Sequence, residues 1–177
     1  MSRKSLDSYS KKTRSNALKR LKIELAELSY APMPEFEASP VSEEDFFEWN
    51  AYIHGPANSP YENGIFKFNM KFPQNYPFSP PECKFITKIY HCNVNSLGLV
   101  CVDILKDSWI PSFTISSILL SMRTLMSDPN PYHPLVGTIG QIFIENRELH
   151  DDTARDWTSK YAMNSSYKFS LPYSPKS

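Results

Sequence analysis

Hydrophobic residues near the start of the chain recur at the spacing of an α-helix. Steps of three, four and three residues separate Leu18, Leu21, Leu25 and Leu28. Residues at these steps share one face of a helix, and Ser15 just before them is a suitable N-cap. The pattern therefore predicts an amphipathic helix that begins after Ser15.

The charges of this helix are ordered against its dipole. Lys19, Arg20 and Lys22 come early, and Glu24 and Glu27 follow later. This order opposes the macrodipole and reverses the more favourable order of acid before base. Each such pair contributes only about 0.2–0.5 kcal/mol, so a solvated polar face stays open as one interpretation. A basic docking face for a protein partner is the other.

The period changes to two residues in the middle of the chain, where residues 46–53 and 65–72 alternate between apolar and polar. The apolar faces would be formed by Phe47, Trp49, Ala51, Ile53, Phe66, Phe68, Met70 and Phe72. Such alternation marks half-buried antiparallel strands. Prolines at 73, 77, 80 and 81 delay the next strand until about Glu82. The region therefore predicts a meander of short strands after a Pro-rich connector.

Helical spacing returns after residue 108. The apolar stripe comprises Ile115, Ile118, Leu119, Met122, Leu125 and Met126. Thr114 is a suitable cap, and Leu120 falls near the opposite face, where we expect it to be exposed and available to a partner. Two more helical segments follow, and Gly137 and Gly140 weaken the first of them. Helix, strands and helices in this order predict an α+β fold.

The two ends of the chain differ from the middle. Residues 1–15 carry five basic side chains, one aspartate and five serines, which predicts a flexible basic extension. Residues 164–177 are rich in Ser and Pro, which predicts a loosely attached tail. A single domain over residues 16–163 remains between them.

Composition narrows the classes of function. Nineteen basic and nineteen acidic residues cancel, so no general charge draws the chain to nucleic acid or membrane. No apolar run approaches the roughly 18 residues that span a bilayer, and the N-terminus lacks an apolar signal segment. Three cysteines, an odd number, predict reduced thiols. We therefore expect a cytoplasmic or nuclear protein.

The cysteines raise the question of chemistry. Cys83, Cys92 and Cys101 are evenly spaced and only His91 lies near them, which is not a zinc pattern. We accordingly expect no zinc site at these cysteines. Cys83 stands among apolar strand residues and is predicted to be inert, while Cys101 follows a turn. From the residues alone, Cys101 is either a buried small residue or a nucleophile whose partners lie elsewhere in sequence.

Several segments together resemble one family. They are ALKRLK, FEWNAYIHGPANSPYENGIF, YPFSPPECKF, IYHCN, CVDILKDSWIPSFTISSILLSM, SDPNP and WTSKYAM. From about Ala17 to Met163 the chain resembles ubiquitin-conjugating enzymes, closest to the small, broadly acting subgroup that serves RING and HECT ligases. The resemblance implies an N-terminal helix, a four-stranded antiparallel β-meander, an active-site loop and C-terminal helices, and we expect a monomer.

The resemblance assigns the chemistry to residues 91–103. The family's His-Pro-Asn tripeptide, followed eight residues later by its catalytic cysteine, corresponds to His91, Cys92, Asn93 and Cys101. Cys101 would accept ubiquitin as a thioester from the activating enzyme in an ATP-dependent cascade, then pass it to a substrate lysine or a ligase cysteine. Asn93 would donate to the oxyanion or hold the adjacent loop. Asp103 would orient the lysine, and His91 would hold the turn through backbone bonds.

Two residues depart from the family's pattern. Cys92 replaces a proline, so we expect a looser turn and a modest loss of precision without loss of activity. His133 stands near the active-site gate, where the family commonly has Asp or Ser. Because histidine changes charge near neutral pH, we hypothesise that His133 helps to position or deprotonate the lysine, with its own pH dependence. An exposed loop histidine without a role is the alternative.

The resemblance also implies binding faces. The ligase platform corresponds to Lys19, Arg20, Phe78, Pro111 and Ser112. This platform would give the basic helix residues a purpose, because the activating enzyme docks nearby. Leu120 corresponds to the helix face on which the thioester-linked ubiquitin folds back. Glu37 replaces a small residue near the place where a second ubiquitin binds the rear sheet, so we leave rear binding open.

Two alternatives stand beside an active ubiquitin-conjugating enzyme. One is a catalytically impaired relative that presents ubiquitin or occupies ligases, and the presence of Cys101 argues against it. The other is an enzyme that carries a different ubiquitin-like modifier.

Overall fold

Four consecutive strands form one antiparallel sheet in the order β1-β2-β3-β4. The computed structural model describes residues 3–163, with side chains described from residue 10 onward. Its elements are α1 (Arg3–Tyr30), β1 (Phe36–Pro40), β2 (Glu48–His54), β3 (Ile65–Lys71), β4 (Glu82–Phe85), a 3-10 helix (Asp103–Leu105), α2 (Ile115–Ser127), α3 (Gly137–Glu145) and α4 (Arg147–Tyr161). The predicted α+β fold is confirmed. The tail predicted at residues 164–177 lies outside the described part of the chain.

The alternation of β2 and β3 builds the core as predicted. Trp49 pairs in register with Met70, and Ala51 pairs with Phe68, and all four side chains are buried. Asn69 points to the other face of β3, yet only 6% of it is exposed. Its amide Nδ2 donates to Glu48 and Asn50 side chains and to the Trp49 carbonyl, which explains how this polar residue is buried.

Strand β1 lies inside the Pro-rich segment that the sequence predicted as a connector. Phe36 pairs with Ile53, and Pro40 pairs with Trp49. Proline is tolerated because β1 is an edge strand and one side of it bonds to no neighbour in the sheet. Glu37 is half-buried in this strand, opposite Tyr52.

Helix α1 begins thirteen residues earlier than the pattern indicated. It starts at Arg3 and continues through Ser15, so the prediction of an N-cap at Ser15 is wrong, and residues 3–15 are helical. Lys19 and Arg20 consequently lie in the middle of the helix, where the macrodipole has little influence. Ala17 takes the fully buried position, while Leu18 is only half-buried.

Helix α2 has the predicted cap. The Thr114 hydroxyl accepts from the Ser117 amide, and the Ser117 hydroxyl accepts from the Thr114 amide at 2.7 Å, which completes a capping box. The predicted apolar stripe is buried apart from Leu125, which is half-buried. Leu120 is half-buried against the core, so the expectation that it is exposed is wrong. The prediction assumed one apolar face, whereas α2 contacts neighbours on more than that face.

The end of α4 is hydrogen-bonded to the start of β3. The Ile65 amide at the start of β3 donates to the Ala162 carbonyl at 3.0 Å. A Cβ at Gly64 would lie 2.8 Å from the Thr158 side chain, so a larger residue would push α4 away. Across residues 3–163, none of the helices is long and apolar enough to cross a bilayer.

Candidate active site

The three cysteines of the chain differ in accessibility. Cys83 and Cys92 are buried, whereas Cys101 is half-exposed. Burial raises the pKa of both the Cys83 and the Cys92 thiol, so both remain protonated and unreactive near neutral pH. Cys101 is therefore the thiol that a second protein can reach.

A tight turn at residues 95–99 brings Cys101 to the site. The Asn95 Oδ1 accepts from the Leu97 and Leu99 amides, each at 3.0 Å. Gly98 has a φ of +79°, and a Cβ there would lie 1.9 Å from the Phe85 carbonyl oxygen. Only glycine fits this position. The turn reverses the chain, so that the Cys101 amide donates to the Asn93 carbonyl at 3.2 Å.

His91 is buried behind this turn and contacts backbone groups. Its Nε2 lies 2.9 Å from the Leu125 carbonyl of α2, and its Nδ1 accepts from the Asn93 amide at 3.0 Å. Burial lowers the pKa of His91 to about 4, so the imidazole is neutral at physiological pH. The neutral form satisfies both contacts, with Nε2 as donor and Nδ1 as acceptor. This arrangement leaves His91 no proton to exchange with a substrate.

The Asn93 side chain is fully engaged by the loop that precedes α3. Its Nδ2 donates to the Asn130 carbonyl at 2.9 Å and to the His133 carbonyl at 3.3 Å. Its Oδ1 accepts from the Asn130 amide at 2.8 Å and lies 3.4 Å from the Cys92 sulfur. Both amide hydrogens are therefore directed at this loop, and Asn93 is buried. Of the two predicted roles, this geometry corresponds to holding the loop.

Cys92 fixes the same loop at a second point. Its carbonyl accepts from the Leu135 amide at 2.8 Å and from the Val136 amide at 3.0 Å. The His-Cys-Asn turn and the loop of residues 130–136 are thus joined by backbone and side-chain bonds. His133 contributes its carbonyl and its amide to these contacts, while the residue as a whole is exposed.

On the other side of the thiol, the chain folds into the short 3-10 helix. Asp103 is exposed at its start, and its carbonyl accepts from the Lys106 and Ser108 amides. The turn directs the Lys106 side chain toward Cys101, and the Lys106 Nζ donates to the Cys101 sulfur at 3.1 Å. This hydrogen bond is the main reason that the pKa of Lys106 is raised. A carboxylate, an amine and a thiol therefore share one exposed surface.

Glu24 joins three elements beneath the predicted ligase platform. The residue is only 2% exposed, and its carboxylate accepts from Arg20 Nε and from the Tyr76 hydroxyl, both at 2.6 Å. The other carboxylate oxygen accepts from the Ile115 amide at 2.7 Å. The charge thus lies at the N-terminus of α2, where the helix dipole favours an anion. Burial is the largest single influence and would lower the pKa of Arg20, but the bond to Glu24 and the negative charges nearby, chiefly that of Glu24, together raise it.

The residues predicted as a ligase platform lie on adjoining segments. Arg20 Nη1 donates to the Pro111 carbonyl at 3.3 Å, which joins α1 to the loop before α2. Trp109 from that loop donates to the Pro77 carbonyl at 2.8 Å, next to Phe78. The most exposed members are Lys19, Phe78, Pro111 and Ser112, with 73% of Phe78 accessible. Arg20 differs, because its guanidinium already bonds inside the protein.

Sequence reasoning did not assign Lys106, Glu24 or Asn130 to any site. Glu24 stands three residues after Leu21 on the buried face, so a carboxylate within the apolar stripe was the available signal. The contacts of Lys106 and Asn130 depend on turns that no periodic pattern describes. Within the described chain, no three His, Cys, Asp or Glu side chains are grouped so that they could hold a metal ion.

Comparison with known proteins identifies the class of protein to which this architecture belongs. The sequence model of the family described as ubiquitin-conjugating enzyme matches residues 20–158, which is well over half of the chain. Among solved structures, the chain is similar to a ubiquitin-conjugating enzyme domain from Toxoplasma gondii. The two share 38% identity at a TM-score of 0.76, over 82% of this chain and 98% of that one.

The fold is therefore that of a ubiquitin-conjugating transferase. The chain belongs to the ubiquitin-conjugating enzyme family. Membership implies ubiquitin, an activating enzyme and ubiquitin ligases as partners in general terms.

Proposed function

We propose that Cys101 accepts ubiquitin from the activating enzyme as a thioester and passes it to a substrate lysine, with a RING ligase, or to the cysteine of a HECT ligase. One observation supports this most strongly: Cys101 is the half-exposed thiol of the three, on a loop whose backbone is bonded to Asn93. The sequence segments that resemble the small, broadly acting subgroup support a wide choice of ligases. We further propose that the protein acts as a monomer in the cytoplasm, the nucleus or both.

The chemistry needs no metal or organic cofactor in this proposal. The Cys101 thiolate attacks the thioester carbonyl held by the activating enzyme, and the thiolate of that enzyme leaves. A lysine amine then attacks the new thioester, an isopeptide bond forms, and the Cys101 thiolate leaves. Asp103, exposed two residues after the thiol, orients the incoming amine through its carboxylate.

Asn93 acts in this proposal as a positioning residue. Its amide is committed to the Asn130 and His133 carbonyls, so it determines where the loop stands beside the thiol. His133 is exposed on this loop, where its side chain adjusts the charge that a substrate lysine meets. Phe78, Pro111 and Ser112 form the exposed ligase surface together with Lys19, and Leu120 contacts the carried ubiquitin.

A charging assay tests the proposal. Purified protein, activating enzyme, ubiquitin and ATP are combined, and the products are separated with and without reductant. We expect an adduct on wild type and on Cys92→Ser that reductant removes. Cys92→Ser is a matched control, because it alters a neighbouring thiol that is buried.

Two results would contradict the proposal. A reducible adduct that persists in Cys101→Ala would place the thioester on another residue. Absence of any adduct with ubiquitin, in protein shown to be folded, would indicate a different modifier or a binding role. Repeating the assay with other modifiers and their activating enzymes separates these two alternatives.

A further inference from the structure

The Lys106 amine is a charged hydrogen-bond donor beside the sulfur that we assign to catalysis. Its Nζ donates to the Cys101 Sγ at 3.1 Å, and the lysine is exposed. The 3-10 turn keeps the two residues together, because the Asp103 carbonyl accepts from the Lys106 amide at 2.9 Å. The hydrogen bond to Cys101 is the main reason that the pKa of Lys106 is raised, so this side chain is a cation at neutral pH.

Transfer of an acyl group from a thioester requires a donor of this kind. When an amine attacks the carbonyl carbon, negative charge develops on the carbonyl oxygen, and donors directed at that oxygen lower the barrier. The amide hydrogens of Asn93 are already directed at the Asn130 and His133 carbonyls. The Cys101 amide is also committed, to the Asn93 carbonyl at 3.2 Å. Neither of these two groups is therefore free to bind the oxyanion.

We propose that Lys106 is a catalytic residue, which donates a hydrogen bond to the oxyanion while the carried ubiquitin is transferred from Cys101. The proposal rests on the proposed function, since it requires a thioester on Cys101. The carbonyl oxygen of an acylated sulfur is two bonds from that sulfur, and the Lys106 Nζ is 3.1 Å from it. Rotation about the bonds of the lysine side chain directs one of its three N–H groups at this oxygen.

Every bond and proton of the transfer is then accounted for. The neutral acceptor amine donates its electron pair to the carbonyl carbon, a carbon–nitrogen bond forms, and the carbonyl π electrons move to oxygen. Lys106 donates to this oxyanion and keeps its own proton. As the intermediate collapses, the carbonyl re-forms, the carbon–sulfur bond breaks, and Cys101 leaves as a thiolate beside the same ammonium. The acceptor nitrogen releases one proton to water.

The positive charge of Lys106 is what makes it effective as a donor. Lys106 faces Cys101, Asp103 and Asp107, and each of these groups favours its protonated form. Hydrogen bonds from a charged donor are roughly twice as strong as neutral ones. Because Lys106 is exposed, water also competes for the oxyanion. We therefore expect loss of the donor to slow transfer by about tenfold, below the roughly hundredfold to thousandfold losses in enclosed sites.

The test measures how quickly thioester-loaded protein loses its ubiquitin to an added acceptor. The full-length chain is loaded to completion with activating enzyme, ubiquitin and ATP, and the ATP is then removed enzymatically. Free lysine is added, and the decline of the reductant-sensitive adduct is followed on non-reducing gels. The quantity compared between variants is the first-order rate constant of this decline, after subtraction of the rate without added lysine.

Two variants of Lys106 separate its charge from its amine. Lys106→Met keeps an unbranched side chain without a charge or a donor, and we expect its rate constant to be about tenfold lower than that of wild type. Lys106→Arg also lacks the amine but keeps a cationic donor, and we expect it to stay within about threefold of wild type. Lys71→Met is the matched control, because Lys71 lies at the end of β3 with its Nζ 3.7 Å from Glu48. It should leave the rate constant unchanged.

A second acceptor distinguishes oxyanion binding from an effect on the incoming amine. Hydroxylamine is uncharged near neutral pH, whereas the free lysine amine is a cation. If Lys106 acts on the oxyanion, Lys106→Met should slow transfer to both acceptors by the same factor. A loss confined to free lysine would overturn the proposal. The proposal is also overturned if Lys106→Met discharges as fast as wild type, or if Lys106→Arg is as slow as Lys106→Met.

These results are distinguishable from failure of the proposed function. A thioester on Cys101 that Lys106→Met discharges at the wild-type rate overturns the role of Lys106 and leaves the proposed function intact. Absence of the thioester itself, on wild-type protein, overturns both.

Discussion

Asn93 and Asn130 exchange two hydrogen bonds, from Asn93 Nδ2 to the Asn130 carbonyl at 2.9 Å and from the Asn130 amide to Asn93 Oδ1 at 2.8 Å. One side chain thus mimics a backbone partner for a loop 37 residues away in sequence. Since the Asn93 carbonyl also accepts from the Cys101 amide, the same residue contacts both sides of the site. The position of the loop and that of the thiol are therefore coupled through Asn93.

The first prediction concerns this residue. Asn93→Asp keeps the oxygen that accepts from Asn130 but directs a second oxygen at two carbonyls. The Asn130 and His133 carbonyls then lose their hydrogen-bond donor. Leaving buried acceptors without a donor reduces the free energy of unfolding by about 1–3 kcal/mol. We expect this reduction in urea denaturation, together with slower transfer from the charged protein to free lysine.

Asn75→Asp is the matched control for that experiment. Asn75 is exposed and donates to Ser79, so the same chemical change should alter the free energy of unfolding by less than about 0.5 kcal/mol. Equal losses from the two variants would show that the buried loop contacts of Asn93 contribute nothing specific.

The second prediction concerns the buried carboxylate of α1. Glu24→Gln replaces an oxygen that accepts from Arg20, Tyr76 or Ile115 with a donor. We expect the free energy of unfolding to fall by about 1–3 kcal/mol, because a buried donor is left unsatisfied. Glu27→Gln, on the exposed face of the same helix, should change it by less than about 0.5 kcal/mol. Similar stability of Glu24→Gln and wild type would refute the assigned role.

The third prediction concerns pH. Burial lowers the pKa of His91 from 6.5 to about 4, so the unfolded chain binds a proton at pH values where the folded chain does not. Stability therefore falls as the pH decreases through this window and is unaffected by His91 above it. From about pH 7 to about pH 5, His91 alone should reduce the free energy of unfolding by about 2 kcal/mol.

Urea denaturation of wild type and His91→Gln at both pH values isolates this effect. Between about pH 7 and about pH 5, the free energy of unfolding should fall by about 2 kcal/mol less in His91→Gln than in wild type, since glutamine does not titrate. The imidazole resonances of His91 should also stay unchanged over this range. A midpoint near 6.5 in those resonances would contradict the buried, neutral assignment.

The fourth prediction concerns thiol accessibility. A soluble alkylating reagent should modify Cys101 quickly in the folded protein, because this thiol is half-exposed. Cys83 and Cys92 should react only after unfolding, because both are buried and burial raises the pKa of each thiol. Peptide mapping of briefly treated protein checks this order. Early modification of Cys92 would mean that the His-Cys-Asn turn opens readily.

The periodic parts of the fold were predictable from sequence. Trp49 and Phe68 alternate with polar neighbours, and the sheet buries them as the alternation indicated. The cap at Thr114 was equally predictable, because its partner lies only three residues away. Strand β1 was not located, since an edge strand that contains Pro40 carries no clear alternation. The start of α1 was missed because its first turns have few apolar residues.

The site was predictable only where its residues lie close together in a sequence motif. The resemblance pointed to Cys101 and Asn93, but the contacts of Asn93 with Asn130 depend on how a distant loop folds. Glu24 was interpreted as part of a polar face, because the hydrophobic pattern treats every carboxylate as exposed. In the structure, three donors satisfy this carboxylate inside the protein. Lys106 reaches the thiol through a 3-10 turn, a feature too short to produce a pattern.

Trapping the acyl group on residue 101 tests the role of Cys101 most directly. Cys101→Ser is incubated with activating enzyme, ubiquitin and ATP, and the product is treated with reductant and then mapped by peptide mass spectrometry. We predict an oxygen ester at position 101 that resists reductant and that hydroxide cleaves. An adduct on this variant that reductant removes would be a thioester on Cys92 or Cys83, and it would contradict the assignment of Cys101.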